Sequence, residues 1–189
     1  MRRWALGVAV LALLSACTGD ATDDAAPSSA LAEEAALDPC PEQPEQPAAG
    51  AQTLPSLSFD CLGGGTLDLG RAPGVPTLVN LWGSWCAPCR TELPLLQEFA
   101  TQAGARVQVL GVISKDGVPQ ASSLADDAGI TFPGAFDGEG ELMAQLGINK
   151  LPYTYFLDAD GAVVHTEIGD VSSVEELRAL VAEHLGVQL

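Results

Sequence analysis

Two of the five cysteines stand close together, in Cys86-Ala87-Pro88-Cys89, and the residues on either side give that pair a chemical use. Before it runs Thr77 to Trp82, apolar apart from Asn80; after it the apolar residues fall at helical spacing. A pair set between a buried strand and a helix places its first cysteine at the helix N-terminus. Unpaired amides and a partial positive charge there stabilise a thiolate. Cys86 is then the attacking nucleophile, which forms a mixed disulfide with a partner, and Cys89 the resolving thiol that releases it. Pro88 has no amide to donate, which costs nothing in the first helical turn. A zinc site would need two more thiolates or histidines, and His165 and His184, the only histidines, sit far along the chain without paired spacing. No metal is therefore assigned, and the exchange calls for no cofactor. A purely structural bridge closing so short a loop would bring little cross-linking benefit.

The elements that position the pair can be read in outline. Leu57-Ser58-Phe59 and Thr66-Leu67-Asp68-Leu69 alternate around Gly63-Gly64-Gly65, which predicts a hairpin. Thr77 to Trp82 reads as a strand buried on both faces. In the following helix Leu93, Leu96, Ala100 and Ala103 share a face that Leu95 and Phe99 widen, and Pro94 is expected to kink it. Arg106 to Ile113 reads as a strand, Val118 to Ala128 as a helix and Glu139 to Leu146 as a short helix. Tyr153 to Leu157 and Val163 to Ile168 form a strand pair turning at Asp158-Ala159-Asp160-Gly161. The last helix opens at Ser173, with Glu176 three residues on as a capping box, and runs to about Leu185. Strand, helix, strand, helix implies an α/β fold with a parallel central sheet and helices packed on it.

The first residues bear on where this happens. Met1-Arg2-Arg3 precedes an apolar run from Trp4 to Leu14, the charged flank and short core of a secretory signal. The run is too short to span a bilayer, which takes about 20 residues. Leu14-Ser15-Ala16-Cys17 resembles the lipobox of bacterial lipoproteins. That resemblance implies a signal peptide over 1–16, lipidation at Cys17 and an extracytoplasmic, lipid-anchored protein on the cell membrane of a bacterium. From 17 to 53 the chain is acidic, rich in Ala and Pro and poor in large apolar residues, so it reads as a tether, with one domain over 54–189. The formal charge of -17 argues against nucleic acid as a partner.

In an exported protein disulfides persist, and Cys40 and Cys61 remain to be assigned. A bridge between them would staple the tether's end to the domain and contribute about 3 kcal/mol in the chain-entropy model. A redox-active thiol at either position stays open as the alternative.

The segment Val79-Asn80-Leu81-Trp82-Gly83-Ser84-Trp85-Cys86-Ala87-Pro88-Cys89-Arg90-Thr91-Glu92-Leu93-Pro94 resembles the active-site segment of membrane-tethered thioredoxin-like proteins of the TlpA and ResA type. The likeness extends more loosely from Leu54 to the C-terminus, through Leu151-Pro152-Tyr153-Thr154-Tyr155-Phe156. It implies a thioredoxin-like fold, a central mixed sheet flanked by helices with an N-terminal β-hairpin extension. It also implies that the Leu151-Pro152 bond is cis and faces the cysteines, so that Leu151, Pro152 and Tyr153 meet the partner. Glu92 is implied as the acid that tunes the thiols, three residues after Cys89 on a helix, where a carboxylate raises a thiol's pKa and accepts its proton. Trp85 would shield the pair and contribute to partner contact. Two departures stand out: Asn80 occupies the position where ordinary thioredoxins place a buried aspartate, and Tyr153 stands where the family often has threonine.

The resemblance thus implies a thiol-disulfide oxidoreductase acting on cysteine-containing exported proteins, as a reductant fed by a membrane electron carrier, with apocytochrome c among its clients. An oxidant of exported thiols is the alternative direction. A tethered binding module with a fixed disulfide is a reading from another class. A peroxidase of the same fold is a third, suggested by the stretch Ser114 to Gly147, although the loop that would hold a peroxidatic cysteine holds Trp82 to Cys89 instead.

Overall fold

A computed structural model describes residues 37–189. The expected signal peptide at 1–16, the lipidation site Cys17 and the first part of the tether lie outside the described residues. Among those described, no helix is long and apolar enough to cross a membrane.

The hairpin forms as its alternation requires. Strand β1 (Ser58–Asp60) pairs antiparallel with β2 (Thr66–Asp68), bringing Phe59 opposite Leu67 on the buried side. The central strand β3 (Thr77–Trp82) is buried at all six positions, as a strand covered on both faces must be. It leads into helix α1 (Ala87–Ala103), which continues through Pro94 and buries Cys89, Glu92, Leu93, Leu96, Phe99 and Ala103. Next come β4 (Gln108–Ser114), α2 (Val118–Ala128), β5 (Gly134–Asp137), α3 (Glu141–Leu146), β6 (Tyr153–Leu157), β7 (Val163–Ile168) and α4 (Val174–Leu185).

The main sheet has the order β5-β4-β3-β6-β7. Strands β3, β4 and β5 run parallel, while β6 is antiparallel to both β3 and β7. This is the mixed sheet flanked by helices. Its hydrophobic centre contains Trp82, Phe99 and Phe156, all fully buried. The capping box at the start of α4 is partly realised: Ser173 Oγ accepts from Glu176 N at 3.1 Å, but the Glu176 carboxylate turns to Ser172 N and Ser172 Oγ, both at 2.7 Å.

Two features differ from the sequence reading. Strand β5 was not anticipated. Gly134-Ala135-Phe136-Asp137 is short, follows Pro133 and lacks alternation, and it becomes a strand only through its ladder with β4 and its cover from the hairpin. That cover is a bridge between Cys61 and Ala135 and the bond from Leu62 N to Gly134 O, which occupy a sheet edge that would otherwise be open.

The second correction concerns residues 37–53, which belong to the folded unit and not to a free tether. Leu37 is buried at 5% exposure, Asp38 N donates to Thr131 O, and Cys40 N donates to Gly64 O. Farther on, Ala48 N bonds Gly70 O, Ala49 N bonds Asp160 O, and Gln52 O accepts from Val163 N. Cys40 and Cys61 form a disulfide with Cα atoms 6.0 Å apart. Backbone bonds and one cross-link hold this strap, so its apolar-poor composition carried no sign of it. Its passage also depends on glycine: a Cβ at Gly63 would run into the Leu37 carbonyl, and one at Gly134 would sit 2.7 Å from Leu37 Cδ1.

Candidate active site

The local sequence forces Cys86 onto the start of α1. Trp82 ends the buried strand, the chain turns through Gly83-Ser84-Trp85, and the helix begins at Ala87 with Pro88 in its first turn. Cys86 is the N-cap, and its sulfur accepts from Cys89 N at 3.2 Å, a position where an amide stabilises sulfur carrying negative charge. Cys86 and Cys89 are disulfide-bonded, with Cα atoms 5.3 Å apart. Cys89 is fully buried and Cys86 is 3% exposed, so of the two residues Cys86 alone keeps any surface open to solvent.

The turn that carries Cys86 is clamped from outside the motif. Asp116, just beyond β4, accepts from Ser84 N, from Ser84 Oγ at 2.8 Å and from Gly117 N at 2.9 Å. Arg90 Nε donates to Ser84 O at 2.8 Å. Trp85 is 50% exposed and donates through Nε1 to Ser114 O at 3.3 Å, which fixes its ring beside the pair while leaving it open to solvent.

Glu92 is fully buried, not solvated on the helix surface. Its Oε2 accepts from Asn80 Nδ2 at 2.9 Å and its Oε1 from Val171 N at 3.2 Å. Burial pushes its pKa up to about 7. The Val171 amide and the Asn80 side chain pull the other way, and the carboxylates of Asp170 and Glu167 add to the rise. A carboxyl poised near neutrality, one helical turn from Cys89, is suited to taking a thiol proton and giving it back.

The Leu151–Pro152 bond is cis. The register that places Leu81 opposite Tyr153 puts Pro152 at the end of β3, where the cysteine turn begins. Pro152 O accepts from Gly169 N at 3.1 Å. Leu151 is 8% exposed, and Tyr153 is half-buried with its ring 6.2 Å from that of Tyr155. Opposite Tyr153 on β7 stands Ile168, 56% exposed. Pro152 and Tyr153 therefore lie beside the end of β3 from which the cysteine turn leaves, with Ile168 one strand farther out. The histidines are elsewhere: the rings of His165 and His184 stack on each other at 3.9 Å, between β7 and α4.

Sequence reasoning singled out Cys86, Cys89, Glu92, Trp85, Leu151, Pro152 and Tyr153; the first four lie in the turn after β3 and on the first turns of α1, and the last three lie at the start of β6, beside the end of β3. It did not find Asp116, Arg90, Thr154, Val171 or Ile168. The only available signal was for Asp116, a polar residue just past the C-terminal end of a parallel strand, where open α/β sheets form their sites.

Comparison with known proteins follows the same lines. A family model described as Redoxin matches residues 48–181. The thiol:disulfide interchange protein DsbE of Vibrio cholerae is 33% identical over 125 residues, covering 65% of this chain and 66% of that protein. The thiol-disulfide oxidoreductase ResA of Bacillus thuringiensis is 26% identical over 117 residues, 61% of this chain and 68% of that protein. The chain thus spans about two thirds of the length of these curated relatives. A secreted disulfide oxidoreductase of Mycobacterium tuberculosis, 24% identical, superposes with a TM-score of 0.59 over 68% of this chain and 96% of its own, a likeness of fold. The thioredoxin-like fold and the kinship with ResA-type proteins both stand.

Proposed function

The chain belongs to the Redoxin family, and from that premise we propose that it is an extracytoplasmic thiol-disulfide oxidoreductase that reduces cysteines of exported proteins. The observation that carries this reading is the Cys86–Cys89 disulfide at the N-terminus of α1 with a buried carboxyl one turn farther along the helix.

The cycle starts from the dithiol. The Cys86 thiolate, favoured by the helix N-terminus and the Cys89 amide, attacks one sulfur of a partner disulfide. A Cys86–partner bond forms as the partner's bond breaks, and the other partner sulfur leaves as a thiolate and takes up a proton. Glu92 accepts the Cys89 proton, and Cys89 attacks the Cys86 sulfur. The second partner thiol departs with a proton, and the Cys86–Cys89 disulfide is restored. Two electrons have passed to the partner. A membrane electron carrier returns two electrons and two protons to the pair. Trp85, Leu151, Pro152 and Tyr153 receive the partner segment, and cytochrome c precursors whose haem-binding cysteines have become oxidised are one client class. A signal peptide over 1–16 would direct export and be removed, and a lipid on Cys17 would hold the protein at the outer face of the cell membrane, with Cys40–Cys61 as a structural staple.

A trapping experiment tests this reading. Cys89→Ser, lacking the resolving thiol, should accumulate mixed disulfides through Cys86 with a disulfide-bonded peptide, and Cys86→Ser should form none. A pair that excess dithiothreitol cannot open, with no adduct in Cys89→Ser, would mark a binding module with a fixed disulfide and overturn the proposal.

A further inference from the structure

Asn80 sits within β3 among apolar neighbours and is fully buried. One end of its amide is fully used: Nδ2 donates to Glu92 Oε2 and to Thr154 Oγ1, each at 2.9 Å. The other end is not, for Oδ1 is buried without a hydrogen-bond partner among the described residues. As a stability device this is a poor arrangement, because an unpaired buried acceptor carries a desolvation cost that leucine, of similar shape, would avoid. The satisfied end points to the purpose.

We propose that Asn80 is a positioning residue for thiol-disulfide exchange: held by Thr154 on the neighbouring strand, its amide donates to Glu92 and keeps that carboxylate in its charged, proton-accepting form. The inference deepens the function proposed above and rests on it. Glu92 lies three residues after Cys89 on its own helix and is faced by Glu167 on β7 and by Asp170 and the Val171 amide in the turn before α4. Burial and the two carboxylates favour its neutral form, and among the described residues only the Val171 and Asn80 donors oppose them. Remove the Asn80 donor, and Glu92 would stay protonated across the neutral range and could not accept a proton from Cys89. Thr154 matters because its hydroxyl takes the second amide hydrogen and so ties Nδ2 to the neighbouring strand while the same nitrogen donates to Glu92.

Asn80→Leu in the full chain is the test, with two readouts. The first is the Glu92 carboxyl titration, followed by carbon-13 NMR in the oxidised protein, where no partner is involved. The second is the pH profile of cysteine alkylation in the reduced protein. The Glu92 midpoint should rise by about one to two pH units, the loss of one hydrogen bond to a charged group, and the alkylation profile should move with it, while thermal stability holds or improves. Thr154→Val should shift the midpoint in the same direction by less. A lower melting temperature with an unmoved Glu92 midpoint would make Asn80 structural and overturn the proposal. If Asn80→Leu does not fold, Thr154→Val decides: a shifted midpoint supports the positioning role and an unshifted one removes it. A shifted midpoint in a protein that exchanges with no disulfide would sink the proposed function and leave the positioning intact.

Discussion

A buried carboxyl whose pKa has risen from 4.5 to about 7 makes the folded protein bind a proton that the unfolded chain has released. Between those pH values the folded state holds more protons, so stability falls as pH rises. This group's contribution is full below about pH 4.5 and has dropped by about 3 kcal/mol once pH passes about 7. The difference in unfolding free energy between the wild type and Glu92→Gln should therefore change by about that amount across the window, measured by denaturant titration at several pH values. A constant difference would mean that Glu92 is already ionised at low pH. The same substitution should move the thiol titration to lower pH, because a nearby carboxylate raises a thiol's pKa, and an unchanged alkylation profile would separate Glu92 from the cysteines. At this scale the sequence was most informative where partners are close along the chain. Cys86, Cys89 and Glu92 fall within one motif and one helix. The residues that complete the site come from far away: Ser84 to Asp116 spans 32 positions, Asn80 to Thr154 spans 74 and Glu92 to Val171 spans 79. No local pattern joins them.

Elements divide by whether their own residues specify them. Strand β3 reads directly because a run broken only by Asn80 is expected to be buried on both faces, and α4 because Ser173 supplies its cap. Ser173→Ala is expected to cost about 1 kcal/mol by denaturant melting; no loss would mean that Ser172 and Glu176 suffice to hold the helix start. By contrast, β5 and the 37–53 strap exist through what they touch. The Cys40–Cys61 bond closes a loop of sequence separation 21, worth about 3 kcal/mol in the chain-entropy model. Replacing both cysteines with serine should lower stability by about that much and leave the potential of the Cys86–Cys89 pair where it was. A shift of that potential would show that the second disulfide takes part in the redox chemistry.

Over the whole molecule, 25 acidic against 8 basic side chains give a charge of -17, and the field of such a surface favours the approach of cations. A cationic peptide disulfide should be reduced faster than an anionic one of equal apolar content, with the ratio shrinking as salt shortens the Debye length to about 10 Å at 0.1 M. Equal rates at low salt would assign the charge to solubility alone. Which way electrons flow is likewise a property of the whole protein, set by whether it stabilises the dithiol or the disulfide. The most direct measurement is the reduction potential of the Cys86–Cys89 couple, equilibrated against dithiothreitol or glutathione buffers. A reductant of exported cysteines should give about -270 mV or lower. A value near -120 mV, about that of a strong oxidant, would contradict the direction proposed here.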